Sequence, residues 1–156
     1  MKIPTNHIVK LIIVVKKLEE TLNEYAELFD VKPPQINTPK KWQDLPGGTV
    51  QTTVFRGKTD VGSYRVGIVD MTPIYLEFVE PGEGASPWKE FMDKHGPGVF
   101  SISFESPKGF KEVEELMAKR GMPVYHKVER GVQRYGYFDS LEKLGTVLEF
   151  KEINNQ

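Results

Sequence analysis

The 156-residue sequence contains no cysteine, carries almost no net charge and has no long hydrophobic run. Without cysteine, disulfides, thiolate metal sites and thiol nucleophiles are excluded. A formal net charge of −1 argues against nucleic acid as the main partner, because phosphate binding requires a basic excess. The most apolar run, IVKLIIVV, is interrupted by Lys10 and predicts a strand and no membrane span. The start MKIPTNH lacks the pattern of a signal peptide, so we expect a cytoplasmic protein.

Two segments carry apolar residues at helical spacing. In KKLEETLNEYAELFD the predicted buried stripe is Leu18, Leu22, Tyr25, Leu28 and Phe29. In SPKGFKEVEELMAKRG it is Phe110, Val113, Leu116 and Met117. A shorter helix is predicted to follow Ser86 as N-cap, with Pro87 at its first position.

The rest of the chain is rich in Val, Ile, Thr, Tyr and Phe, is divided by Gly, Pro and Asp, and predicts strands. The order is one strand, one helix and three strands, and then the same again. This predicts an α+β fold in one domain, residues 1–156. Module one is predicted over 6–80, the connecting segment over 81–97 and module two over 98–152. Module one also carries a long irregular loop at 31–48, which is either a lid or a surface insertion.

Three stretches of the paired βαβββ modules stand out: NHIVKLIIVVKKLEETLNEYAELFDV at the start, YLEFVEPGEGASPWKEFMDKHGPGVFSISF in the middle and YGYFDSLEKLGTVLEFKE at the end. In these stretches and in their order of elements, the modules resemble the vicinal oxygen chelate superfamily, which includes glyoxalase I and methylmalonyl-CoA epimerase. Together the three stretches span most of the chain. The resemblance implies that the two modules form a curved mixed-sheet cup, the glyoxalase-like fold, and that the protein is a homodimer.

The resemblance also implies a metal site in the cup, with His7, Glu77 and Glu149 as ligands. Ser101 stands where the family usually has a second histidine. One imidazole and two carboxylates suit a divalent ion such as Mn, Fe, Co, Ni or Zn. Glu77 and Glu149 each lie between a leucine and a phenylalanine, and the alternative for both is a carboxylate that faces water.

Four further residues are predicted to contact substrate: Ser101, Arg65, Tyr135 and Tyr137. Arg65 is suited to a carboxylate or phosphate group. Tyr135 and Tyr137 share a strand face near Glu149, although such pairs more often serve packing. His126, on a predicted edge strand, is expected to face solvent.

Two functions from different classes follow. The first is an epimerase- or glyoxalase-like lyase or isomerase, whose metal stabilises an enediolate-type charge on a small oxygen-rich substrate while Glu149 or Glu77 acts as base. The second is a metal-independent protein that binds or sequesters a small molecule such as an antibiotic, with Tyr75, Phe78, Tyr135 and Tyr137 as a stacking wall. Ser101 in place of histidine favours the second function, and the two carboxylates favour the first.

Overall fold

A computed structural model of the chain describes residues 1–39 and 51–153. These residues form eight strands and four helices, and the predicted α+β class with its twice-repeated order is confirmed. The first half contains β1 (Ile8–Val14), α1 (Leu18–Phe29), β2 (Gln51–Phe55), β3 (Tyr64–Asp70), β4 (Tyr75–Pro81) and α2 (Pro87–His95). The second half contains β5 (Gly98–Ser106), α3 (Phe110–Lys119), β6 (Val124–Arg130), β7 (Gln133–Phe138), α4 (Leu141–Leu144) and β8 (Val147–Glu152).

The chain divides into two compact units. Of the described residues, unit 1 takes 1–9, 51–61 and 101–153, and unit 2 takes 10–39 and 62–100. Unit 1 has the strand order β2-β6-β7-β8-β5 and unit 2 the order β1-β4-β3. The pairs β1–β4 and β5–β8 are parallel and the others antiparallel, so both sheets are mixed. Because β2 pairs with β6, it belongs to unit 1; the module boundaries 6–80 and 98–152 stay a prediction.

Each unit has a cluster of buried side chains between its sheet and a long helix, α3 in unit 1 and α1 in unit 2. In unit 1 the buried cluster is Phe110, Val113, Met117, Met122, Phe138 and Phe150. In unit 2 it is Val15, Leu18, Leu22, Val69 and Phe78. Phe78 is therefore a core residue beneath α1, and its predicted place in a stacking wall is wrong.

The apolar stripe predicted for α1 is correct only over its first two turns. Leu18 and Leu22 are buried, together with Ala26, whereas Leu28 is 75% and Phe29 54% exposed. Successive helical residues are rotated by about 100°, so Leu28 points nearly opposite to Ala26. The predicted start of α2 is confirmed, because the Ser86 hydroxyl accepts a hydrogen bond from the Lys89 backbone N–H at 3.1 Å.

The part of the chain that the structure describes holds no helix that is long and apolar enough to span a membrane. From residue 40 onward, the predicted 31–48 loop lies outside the described residues.

Candidate functional site

Glu149 occupies a buried polar position in unit 1. Its neighbours Leu148 and Phe150 pack toward α3, so strand alternation turns Glu149 to the opposite face of the sheet. The residue is 2% exposed, and the Ser103 hydroxyl donates a hydrogen bond to its Oε1 at 2.7 Å. A neutral donor therefore holds this carboxylate inside the unit.

Glu149 belongs to a row of side chains that runs across the five strands of unit 1. Strand register places Ser103, Glu149, Tyr137, His126 and Phe55 side by side, and all five are buried. We call this set the unit 1 row. The His126 ring stacks on Tyr137 with 5.0 Å between ring centroids. Burial lowers the pKa of His126 to about 4, so its imidazole is neutral at pH 7.

The expectation that His126 faces solvent is wrong. Its strand, β6, would be an edge of the sheet if β2 paired with β3. In the structure β2 pairs with β6 and sets Phe55 opposite His126, which covers that edge.

The other predicted contacts of unit 1 lie close to this row. Ser101 is two residues before Ser103 on the same face and is fully buried. Tyr137 lies opposite Glu149, and Tyr135 lies opposite Lys151, whose Nζ is 5.9 Å from the centre of the Tyr135 ring. The shared face of the two tyrosines is thus present, and the substrate-binding roles of Ser101, Tyr135 and Tyr137 stay predictions.

Unit 2 contains the other predicted carboxylate, Glu77, and it has a different kind of partner. The Lys10 Nζ lies 3.3 Å from Glu77 Oε2, and the two side chains are 11% and 19% exposed. Sequence reasoning noted Lys10 only as an interruption of an apolar run. The missed signal is its spacing: Lys10 alternates with the buried Ile12 and Val14, which places all three on one face of β1.

Arg65 is engaged within unit 2. Its guanidinium donates to both oxygens of Glu19, at 2.5 and 2.8 Å, and to Oε1 of Glu80 at 2.9 Å. Glu80 Oε2 accepts the backbone N–H of Leu18 at the start of α1, at 2.9 Å. The hydrogen bonds from Arg65 hold the pKa of Glu19 at about 2. This cluster ties α1 to β3 and β4, and the substrate-binding role of Arg65 stays a prediction.

Unit 1 contains the same arrangement of a glutamate, a helix N-terminus and an arginine. Glu152 accepts the backbone N–H of Phe110, the first residue of α3, at 2.8 Å and pairs with Arg134 at 3.0 Å. Burial alone would raise the pKa of Glu152, but these two donors hold it below its usual value. The sequence carries the signal twice, as R-x-G in β3 and β7 and as L-E-F-x-E in β4 and β8.

The residues present do not fit the expected metal ion. Within unit 1, His7 is exposed, whereas Glu149 is buried. Within residues 1–39 and 51–153, no three His, Cys, Asp or Glu side chains are grouped so as to hold a metal. Glu149 binds the Ser103 hydroxyl, and the Lys10 ammonium occupies the position beside Glu77 where a second cation would be repelled. The ligand set His7, Glu77 and Glu149 is thus not assembled among these residues.

Comparison with known proteins gives a result at the level of fold. No protein-family model and no curated relative matches the sequence. A hypothetical protein of Bacillus halodurans C-125 superposes with a TM-score of 0.62 at 18% identity, over 96% of each chain. A Streptomyces coelicolor methylmalonyl-CoA epimerase variant, in complex with 2-nitronate-propionyl-CoA, superposes with a TM-score of 0.62 at 15% identity, over 96% of this chain and 95% of its own. A methylmalonyl-CoA epimerase in complex with methylmalonyl-CoA and NH4+ superposes with a TM-score of 0.61 at 15% identity, over 95% of this chain and 94% of its own. The resemblance to the vicinal oxygen chelate superfamily is therefore confirmed for the fold, which is the glyoxalase-like fold of methylmalonyl-CoA epimerase.

Proposed function

We propose that this protein is a proton-transfer enzyme of the isomerase or lyase type. It acts at the carbon next to a carbonyl group of a small oxygen-rich molecule, with Glu77 as the proton acceptor and without a metal ion. One observation carries the proposal: of the two strand carboxylates, Glu77 is the one that retains exposure to solvent, and a fixed positive charge lies beside it. Glu149 is closed off and bound to Ser103. A base must reach the proton that it removes, which favours Glu77.

Acyl thioesters are the first substrate class to test. Two structural neighbours are in complex with methylmalonyl-CoA and with 2-nitronate-propionyl-CoA. Their likeness to this chain is one of fold. Thiol adducts of 2-oxoaldehydes form the second class, because their acidic carbon also lies next to a carbonyl.

The test is exchange of the substrate's acidic proton for deuterium in D2O, followed by proton NMR in buffer freed of metal ions. We expect the wild-type protein to exchange at least one substrate of the panel. Glu77→Gln should slow the exchange by about 100-fold or more, since it removes the base. Glu114→Gln is the matched control, because Glu114 also pairs with a lysine, Lys127 at 3.2 Å. The absence of exchange with every substrate would overturn the proposal.

The same assay decides between the two predicted bases. If Glu149→Gln abolishes the exchange and Glu77→Gln does not, the base is Glu149 and the row must open during the reaction. Titration of the wild-type protein with Mn, Co, Ni and Zn completes the test. Stoichiometric binding that Glu77→Gln or Glu149→Gln removes would contradict the metal-independent reaction.

The alternative function is metal-independent binding of a small molecule without turnover. The closed unit 1 row favours it, because a fully buried carboxylate, histidine and tyrosine are more readily explained by packing than by catalysis. The half-buried ring of Tyr135 in unit 1, or that of Tyr75 in unit 2, would then contact the ligand. Calorimetric binding of planar aromatic compounds, with no proton exchange on the thioester panel, would support this function over the enzyme.

We also propose that the protein works as a homodimer in the cytoplasm. Three exposed apolar side chains at and just beyond the end of α1, Leu28, Phe29 and Val31, support an association surface. Sedimentation velocity should give about twice the chain mass of 17.8 kDa, and Leu28→Glu should shift it toward the monomer.

A further inference from the structure

Lys10 is an unusual lysine because it lies inside a strand among buried aliphatic side chains. It shares its face of β1 with Ile12 and Val14, both fully buried, and Lys10 itself is 9% exposed. Lysine is almost never buried unless it is paired, since removal of an ammonium group from water is costly. The position therefore calls for an explanation beyond chain folding.

The charged end of Lys10 lies near the Glu77 carboxylate and the Tyr75 ring. Its Nζ lies 3.3 Å from Glu77 Oε2 and 5.9 Å from the centre of the Tyr75 ring, the cross-strand partner of Lys10. On the other side of Glu77, its partner in β3 is Ile68, which is exposed. The pair is thus bordered by apolar groups and keeps an opening to solvent.

Stability is a weak reason for such a pair. A largely buried ion pair loses much of its hydration, and apolar residues of similar size commonly serve equally well. The Lys127–Glu114 pair of unit 1 shows the usual arrangement, with both side chains more than a quarter exposed. A positive charge held beside the residue that accepts the proton, by contrast, can stabilise the negative charge that forms on the substrate.

We propose that the Lys10 ammonium receives the negative charge that develops on the carbonyl oxygen of the substrate while Glu77 removes the neighbouring proton. This inference rests on the proposed function and names the group that replaces a metal ion in it. Nothing in the sequence pattern or in the comparisons assigns Lys10 a role.

The charges balance through the step. The substrate C–H bond breaks, its electron pair forms the C=C bond of the enolate, the carbonyl π pair moves onto oxygen, and the proton binds the Glu77 carboxylate. Glu77 becomes neutral as the substrate oxygen becomes negative, so Lys10 exchanges one anionic partner for another and the net charge of the site does not change. A preorganised cation of this kind stabilises the transition state without reorganisation. The reverse step returns the proton from Glu77 to carbon.

The proposal predicts a pattern of anion binding that does not require turnover. Oxalate is a planar anion with two vicinal oxygens, and oxamide has the same shape without charge. Glu77→Gln imitates the protonated base and removes the negative charge that the Glu77 carboxylate places beside Lys10. Calorimetry in metal-free buffer should therefore show Glu77→Gln binding oxalate about tenfold or more tightly than the wild type does, with oxamide affinity unchanged.

The Lys10 variants complete the test. The double variant Glu77→Gln, Lys10→Met should lose the gain, Glu77→Gln, Lys10→Arg should retain part of it, and Glu77→Gln, Lys127→Met should retain all of it. Circular dichroism checks that each variant is folded. In case Lys10→Met does not fold, the 15N resonance of the Lys10 ammonium in Glu77→Gln should shift with oxalate and not with oxamide.

Three results would overturn the role of Lys10: no gain of oxalate affinity in Glu77→Gln, a gain that survives Lys10→Met, or a Lys10 resonance that oxalate does not move. None of these depends on proton exchange. Failure of the proposed function would instead appear as a wild-type protein that exchanges no substrate, whatever its affinity for oxalate.

Discussion

The two strand carboxylates have equivalent places in the two halves of the chain and opposite kinds of partner. In the parallel strand pairs, Glu77 is in register with Ile12, and Glu149 is in register with Ser103. Lys10 lies two residues before Ile12, and Ser101 lies two residues before Ser103. Glu77 pairs with an ammonium group and retains some exposure, while Glu149 binds a hydroxyl and is closed. The same strand arrangement thus carries either an ion pair that keeps some exposure or a closed row in which a serine hydroxyl binds the carboxylate.

The parts that build this arrangement are the same in both halves. Glu80 accepts the first backbone N–H of α1 and pairs with Arg65. Glu152 does the same for α3 with Arg134. A carboxylate at a helix N-terminus is favourable because it satisfies an unpaired N–H and opposes the positive end of the helix dipole. Three residues before each of these carboxylates lies Glu77 or Glu149, on the other face of its strand, where the two halves are free to differ.

The largest expected difference between the halves is their response to acid. Only the unit 1 row holds a buried histidine, with a pKa of about 4 in the folded state, below the value of 6.5 for an unperturbed group. The unfolded chain therefore binds this proton first, and the stability that comes from neutral His126 is fully present above pH 6.5 and is lost as the pH falls toward 4. The loss at pH 4 should be about 3 kcal/mol.

Urea unfolding at pH 7, 6 and 5.5 measures the start of this loss, because ordinary Asp and Glu side chains, with pKa values of about 4, stay mostly ionised in this range. His126→Phe should flatten the dependence. An unchanged slope in that variant would contradict a neutral buried His126.

A second expected difference concerns two glycines of the R-x-G pattern. A Cβ at Gly136 would come within 2.8 Å of Val124 Cγ2 and 2.9 Å of the His126 carbonyl oxygen, whereas the atoms nearest to a Cβ at Gly67 belong to the Leu22 side chain. A backbone carbonyl group in a strand cannot move away from the added methyl group, whereas the end of a leucine side chain can. Gly136→Ala should lower the free energy of unfolding by about 3 kcal/mol and Gly67→Ala by about 1 kcal/mol. Thermal unfolding checks the order, and equal losses would mean that Leu22 is as rigid as the backbone.

The smallest expected effect tests the neutral partner of Glu149. Ser103→Ala removes the 2.7 Å hydrogen bond and should cost about 1 to 2 kcal/mol of unfolding free energy. Ser101→Ala is the matched control, because the Ser101 hydroxyl makes a long 3.4 Å contact with the Ile102 carbonyl oxygen. Denaturant midpoints of the two variants provide the measurement. A Ser101→Ala loss as large as that of Ser103→Ala would place the main partner of Glu149 elsewhere.

Local patterns predicted the elements and part of the site. Alternation in the two L-E-F segments turns Glu77 and Glu149 away from the core residues Phe78 and Phe150, and the predicted stacking wall with Phe78 overlooked this. The same reasoning failed for His126, because the exposure of β6 depends on a strand some 70 residues earlier in the chain. It also passed over Lys10, whose importance appears only when β4 brings Glu77 beside it.

The sequence by itself determined the order of strands and helices, the start of α2 at Ser86 and the face on which each strand carboxylate lies. These follow from the periodicity and capping of neighbouring residues, which act over a few positions. Tertiary structure alone decided that β2 joins β6, that His126 is buried and neutral, and that Glu77 pairs with an ammonium group while Glu149 binds a hydroxyl. Those outcomes depend on which distant strands pair and in which register, and register is set by the packing of whole sheets.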